Sequence, residues 1–303
     1  FPPLSPPPLP DFACDVLRGV RFPALSAPGP SGARPEHLRE LTSTRSRPVA
    51  GRLRGALASF LALATQGTLP ETLRWITGSR LVFLKKKSGV KPRPIRVGEL
   101  LRRVVAKHLC FAHRAGLRET LLAHRQLGVA VPGGADALVH LRLCIEEALA
   151  SPDFDQTQLV VLDVDLVNAF PSFSWTAIRA SVARHAPAIL PWTSWCHRAP
   201  APVLLPSGRE MPVARGAEQG DPLGPAYCGL VIADVMASVW AALGPLASAA
   251  IADFWYMDDG QVVLPLPLLD PFVRALGSAL VPVGATRGLG ALVKSTCLLY
   301  TSP

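Results

Sequence analysis

The stretch FWYMDDGQVV, Phe254 to Val263, decides the fold. Two adjacent carboxylates, Asp258 and Asp259, stand between an aromatic–Met run and a glycine, in a segment that is otherwise mostly apolar. A buried carboxylate is costly unless it is paired or bound to a cation. Two neighbouring ones repel, so a shared proton or a divalent ion has to compensate them. With the residues that follow, FWYMDDGQVVLPL reads as two short β runs around Asp258-Asp259-Gly260, and on its own a DDG tip is also an ordinary solvated hairpin turn.

A second stretch, QLVVLDVDLVNAFPSF from Gln158 to Phe173, shifts that balance. Val160, Leu162 and Val164 alternate with Val161, Asp163 and Asp165, which predicts a strand carrying both aspartates on one face. Two strands that each end on aspartate could gather three carboxylates around a pair of ions. Hard oxygen ligands suit Mg²⁺, and such an arrangement supports two-metal phosphoryl transfer.

Outward from these stretches, periodicity and turn residues predict an alternation of helices and hairpins. SAPGPSGARPEHLREL is a Gly/Pro turn entering a short helix, and RLRGALASFLALATQGTLP is an amphipathic helix closed by Gly67 and Pro70. SRLVFLKKKSGVKPRPIRV reads as a hairpin around a Lys-rich turn. Helices are expected after Gly98, after Gly133-Gly134, from Trp175 to about His185, and around Phe272 to Leu280. In the first of these, Leu100, Leu101, Val104, Val105 and Leu109 form the apolar stripe, with Arg102, Arg103 and Lys107 on other faces. PVLLPSGREMPV looks like a further hairpin, and EQGDPLG is a Gly-rich loop running into a long apolar helix. Ala226 to Ala252 is long enough to cross a bilayer, but Asp234 lies inside it and Gly244-Pro245 splits it, so a buried helix, a break and a second short helix are expected.

The 303 residues are 49% hydrophobic and 17% charged, enough to bury a core, which excludes wholesale disorder. The net charge of +9 is uneven: Arg74 to Arg118 holds 13 Lys and Arg against one acid, Glu99, a local +12 that leaves −3 elsewhere. Such a segment is either a polyanion site or a solvated helix face. The six cysteines make no C-x-x-C pair and no zinc spacing, so reduced thiols and an intracellular chain are expected. The chain begins at Phe1 with the Pro-rich FPPLSPPPLP and no signal-peptide pattern, and reads as a piece of a longer open reading frame.

The order KKKSGVKPRPI, LDVDLVNAF, QGDPLG and YMDD resembles that of the reverse transcriptase family. SAPGPSGARPEHL, RQLGVAVPGGADALVHL and LDVDLVNAF are similar to the polymerases of non-LTR retrotransposons rather than of retroviruses. The resemblance covers about Ala27 to Lys294. It implies an α+β fold, a right-hand polymerase with an antiparallel palm sheet and packed helices. The implied division is a Pro-rich linker over 1–26, fingers over 27–151 and palm over 152–296, with the thumb missing. Cys297 to Pro303, CLLYTSP, matches the translation of a transposase-adapter sequence used in library preparation, and no function is expected there.

By the same resemblance, Asp165, Asp258 and Asp259 are the catalytic and metal carboxylates, holding two Mg²⁺ ions, with Mn²⁺ as an alternative. Asp163 stands at the wrong distance from Ala169-Phe170 and is assigned a supporting role. Lys86 and Arg93 match the triphosphate-binding cations, with Lys85 and Lys87 as alternates to Lys86. Phe170 matches the bulky residue that excludes a ribose 2′-OH, and a core aromatic is the alternative for it. Gln219 and Gly220 match the loop touching template base and incoming nucleotide, and Lys294 is a candidate general acid. The implied activity is RNA-directed DNA synthesis on an RNA template from a DNA primer and dNTPs, in an intracellular ribonucleoprotein, nuclear or cytoplasmic, without a membrane. The alternatives are an inactive nucleic-acid-binding remnant and an RNA-templated RNA polymerase. Phe170 and Tyr256-Met257 disfavour the second, because such enzymes carry a small polar or acidic residue near the first position and a glycine at the other.

Overall fold

Apolar residues three and four apart put Leu57, Leu61 and Ala64 on one buried face of a helix that ends at Thr65, and Gly67, at φ 67, turns the chain there. The computed structural model describes residues 20, 22–23, 26–43, 47–84, 92–149, 159–166, 168–218, 220–250, 252–285 and 297–298. In chain order these make α1 (Pro35–Ser43), α2 (Arg47–Thr65), β1 (Ser79–Leu84), β2 (Arg93–Gly98), α3 (Leu100–Ala112), α4 (Arg114–Ala123) and α5 (Gly134–Leu149). There follow β3 (Leu159–Asp165), α6 (Ala169–Ser172), α7 (Trp175–His185), α8 (Leu190–Cys196), β4 (Ala201–Leu204) and β5 (Glu210–Val213). The last elements are α9 (Gly224–Leu243), β6 (Ala252–Tyr256), β7 (Asp259–Pro265), α10 (Leu269–Leu280) and β8 (Cys297–Leu298).

They group into two compact units that interleave in sequence. One takes Phe1–Arg114, Ala186–Ala214 and Glu218–Gly224; the other takes Ala115–His185, Arg215–Ala217 and Pro225–Pro303. The first unit carries a mixed sheet of order β2-β1-β4-β5. The Lys-rich hairpin pairs from Ser79↔Gly98 to Leu84↔Arg93, and β4 joins β1 in parallel at Ser79↔Val203. β4 and β5 form the second expected hairpin, with Gly208 at φ 81 in its turn. The core of this unit includes Leu61, Ile76, Val104, Val105, Leu109, Trp192 and Trp195. Trp192 and Trp195 stack at 5.5 Å between ring centres, and the Trp195 indole N–H donates to the Leu69 carbonyl at 2.9 Å. Each such buried side chain contributes about 1.5–3 kcal/mol.

The second unit carries an antiparallel sheet of order β6-β7-β3-β8. Alternation along β3 places Val160, Leu162 and Val164 in the core, as the period of two requires. Opposite them, Val262 and Leu264 of β7 are buried as well. Gly260 pairs with Trp255, and a Cβ there would stand 2.6 Å from the Trp255 ring, so the missing side chain is what lets the indole lie across the strand. Within the tail of which no function was expected, Cys297 and Leu298 pair with Leu162 and Val161 of β3.

Helix α9 is the core helix that the sequence led us to expect. Leu230, Val231 and Val239 are fully buried, and the helix stops at Leu243 before Gly244 at φ 53 and a 3-10 turn to Ala249. By length and composition Gly224–Ser248 could cross a membrane. Within it, Asp234 accepts hydrogen bonds from Ser181 and Arg184 and bonds His185 at 2.7 Å.

Candidate active site

β3 and β7 pair without a slip from Leu159↔Pro265 to Asp165↔Asp259. β6 and β7 close from Ala252↔Val263 to Tyr256↔Asp259, leaving Met257 and Asp258 as the turn. Opposed residues of an antiparallel ladder share a face. Asp165, Asp259 and Tyr256 therefore stand on one face at one end of the sheet, with Asp258 in the adjoining turn. The backbone thus brings together the three aspartates that the sequence separates by more than ninety residues. Asp258 is half-buried and Asp259 exposed. Burial pushes the thiol of Cys228 well above its ordinary value, and the charges of Asp258 and Asp259 add to the shift, so this thiol stays protonated beside them.

Asp163, two residues back from Asp165, faces Gln261 across the ladder, whose Nε2 donates to its Oδ1 at 2.6 Å. That bond satisfies Asp163 within the sheet. Among the described residues no three His, Cys, Asp or Glu side chains stand grouped for a metal; the carboxylate of Asp165 lies outside the described side chains. The set Asp165, Asp258 and Asp259 consists of hard oxygen donors at one sheet end, which fits Mg²⁺ or Mn²⁺.

After β3 the chain turns at Asn168, left-handed at φ 50, into α6. The segment Arg215–Ala217 straps this turn. Ala217 N donates to the Phe170 carbonyl and Gly216 N to the Phe173 carbonyl, both at 2.7 Å, and the Trp175 indole donates to the Gly216 carbonyl at 3.1 Å. Phe170 is only 8% exposed, so its ring packs chiefly against protein.

The EQGDPLG loop is held differently. Arg102 of α3 is buried, with Nη1 3.0 Å from Glu218 Oε1 and Nε 2.9 Å from Asp221 Oδ2. Nη1 also donates to the Thr77 carbonyl at 3.0 Å, while Asp221 Oδ1 accepts from Leu223 N at 2.9 Å. Burial alone would push the guanidinium down, but Glu218 and Asp221 outweigh it and its value rises, so Arg102 stays cationic. Gly220 sits between these acids, and a Cβ there would stand 2.6 Å from the Arg96 carbonyl. The loop can lie this close to β2 only with glycine at that position.

Arg102 was expected off the apolar stripe of α3, with Arg103 and Lys107, and the structure adds that it is buried. It is an internal ion, so the +12 segment is not all surface. Of the expected triphosphate-binding cations, Arg93 begins β2, with its backbone opposite Leu84 of β1. Lys85, Lys86, Lys87, Gln219 and Lys294 lie outside the described residues.

The class that the elements define is mixed α+β, with an antiparallel sheet in one unit, a mixed sheet in the other and many helices. Among solved structures the chain is similar to telomerase from Candida albicans in complex with the TWJ fragment of telomeric RNA, at TM-score 0.52 and 12% identity over 78% of this chain and 44% of that one. It is also similar to apo telomerase from Candida tropicalis truncated of its C-terminal domain, at TM-score 0.45 and 13% identity over 69% of this chain and 48% of that one. The first likeness shows a shared fold, and the chain spans less than half the length of either telomerase. No family model matches the chain, and no curated protein does.

Proposed function

We propose that the chain is the fingers and palm of a reverse transcriptase of the non-LTR retrotransposon kind, making DNA on an RNA template. The observation that supports this most is the strand register, which sets Asp165 opposite Asp259 beside the Asp258 turn. The likeness in fold to the Candida albicans telomerase, a protein solved with telomeric RNA, supports an RNA partner. Asp165, Asp258 and Asp259 would hold two Mg²⁺ ions, which when bound activate the primer 3′-OH and neutralise the triphosphate. Lys86 and Arg93 add positive charge at the nucleotide phosphates. Gln219 and Gly220 lie against the template base and the incoming dNTP, Phe170 limits the 2′ position of the sugar, and Lys294 protonates the departing pyrophosphate.

The test is primer extension on an RNA template with Mg²⁺, using dNTPs and rNTPs in parallel. The expected result is extension with dNTPs, lowered at least about 100-fold in Asp258→Asn. Absence of extension, or extension that Asp258→Asn leaves intact, rejects the enzyme. Preference for rNTPs identifies an RNA polymerase instead.

A further inference from the structure

The Asp258 turn has an anchor besides its own ladder. Met257 is left-handed, at φ 57, a conformation that costs a non-glycine residue energy unless its surroundings hold it. Those surroundings come from the segment Arg125–Gly128, more than 120 residues earlier. Gln126 bridges in parallel to Trp255, with Leu127 N donating to the Trp255 carbonyl at 2.7 Å and Trp255 N to the Arg125 carbonyl at 2.9 Å. One step further on, the side chain of Gln126 takes over from the backbone. Its Oε1 accepts from Met257 N at 2.7 Å, and its Nε2 donates to the Met257 carbonyl at 2.9 Å. The amide thus makes both bonds that a neighbouring strand would make to Met257.

The seat of that amide is built for it. Gln126 is only 1% exposed, and Gly128 N donates to the same Oε1 at 3.1 Å. A Cβ on Gly128 would stand 2.6 Å from Met257 N, and one on Gly229 would stand 3.0 Å from Gln126 Cγ. A donor and an acceptor are both needed, so an amide fits where a carboxylate of the same shape does not.

We infer that Gln126 is a positioning residue for the metal site: by holding Met257 left-handed it sets where Asp258 stands, and so sets the divalent-cation affinity of the aspartates. The inference rests on the proposed nucleotidyl-transfer site. Gln126→Glu keeps the acceptor but sets a carboxylate against the Met257 carbonyl, and Gln126→Ala removes both bonds. Met257→Gly makes the left-handed conformation free of side-chain cost, so it has to offset the loss of Gln126.

The experiment titrates the 303-residue chain with Mn²⁺, followed by electron paramagnetic resonance, and measures amide exchange at Met257. Gln126→Ala and Gln126→Glu are expected to bind Mn²⁺ about tenfold more weakly or worse, with faster exchange at Met257. Gln126→Ala with Met257→Gly is expected to recover most of the affinity. A merely structural glutamine would lower stability without that recovery. Unchanged Mn²⁺ affinity in Gln126→Ala, unchanged exchange at Met257, or no recovery in the double variant overturns the inference while leaving the proposed function standing. A parent chain that binds no Mn²⁺ overturns the proposed function and the role of Gln126 in it together.

Discussion

The Glu218–Gly224 loop is held by an internal ion cluster, with Arg102 between Glu218 and Asp221, whereas the Ala252–Pro265 hairpin is held chiefly by a strand ladder and the Gln126 amide, with an Arg125–Asp253 ion pair beside them. A loop without a ladder has few backbone bonds to share the task, so three charged groups hold it. Losing one of them leaves the others buried without their main partner, which is where ion clusters are costly. The hairpin spreads its hold over many bonds of about 0.5–1.5 kcal/mol each, and no one of them is decisive for stability. In each region, a residue far away in sequence fixes the segment that carries the motif.

The largest expected effect breaks the ionic side of this comparison. Arg102→Ala is expected to cost about 3–5 kcal/mol in urea unfolding, because Glu218 and Asp221 stay buried without their cation. Arg102→Met combined with Glu218→Gln and Asp221→Asn is expected to return most of it. A cost below about 1 kcal/mol for Arg102→Ala would mean that ions do not hold the loop.

Next in size is the hairpin's own packing. Gly260→Ala drives a methyl into the Trp255 ring and is expected to cost about 1–3 kcal/mol, measured the same way. An unchanged midpoint would show that the tip is looser than its ladder implies.

Asp234 sharpens the comparison from inside the hairpin's unit, because it is an ionic anchor that is not fully buried. Burial pushes its carboxyl up, but bonds from Ser181, His185 and Arg184 outweigh this and hold it below the ordinary 3.8. A depressed folded value gives stability that is present above the unfolded value, about 3.9, and lost as pH falls through the folded one. Asp234→Asn is expected to cost about 1 kcal/mol at pH 7 and to flatten the acid limb of stability below pH 4. An acid limb identical in both proteins would rule the anchor out.

The smallest effect concerns Asn168, at φ 50 in the turn that leaves β3. Asn168→Gly is expected to change stability by no more than about 0.5 kcal/mol, since both residues tolerate that conformation. A larger loss in thermal melting would show that the Asn168 side chain has a bonding role that its backbone does not explain.

How much was legible in advance can be argued element by element. The alternation in QLVVLDVD placed β3 and the shared face of Asp163 and Asp165, and the spacing from Trp175 to His185 matched α7. The seven-residue α8 went unread, because Pro191 and two tryptophans in so short a run carry no clear period. The burial of Arg102 was not legible, because helical spacing reports only where the apolar stripe lies. It cannot show that an off-stripe cation meets acids 116 and 119 residues away. Gln126 lay in a quoted motif without a role, since a buried glutamine and a solvated one look alike in sequence.

By itself, the sequence determined the local elements: which runs pair as hairpins, which coil, and which aspartates end a strand. Those follow from periods of 2 and 3.6 and from turn residues, properties of neighbours along the chain. Only the tertiary structure decided that β3 pairs with β7 so that Asp165 meets Asp259, that β1 accepts β4 in parallel, and that Arg102 and Gln126 brace the two motif-bearing segments. Those are contacts between residues far apart in sequence, fixed by how buried faces and polar groups find partners, and no local pattern encodes them.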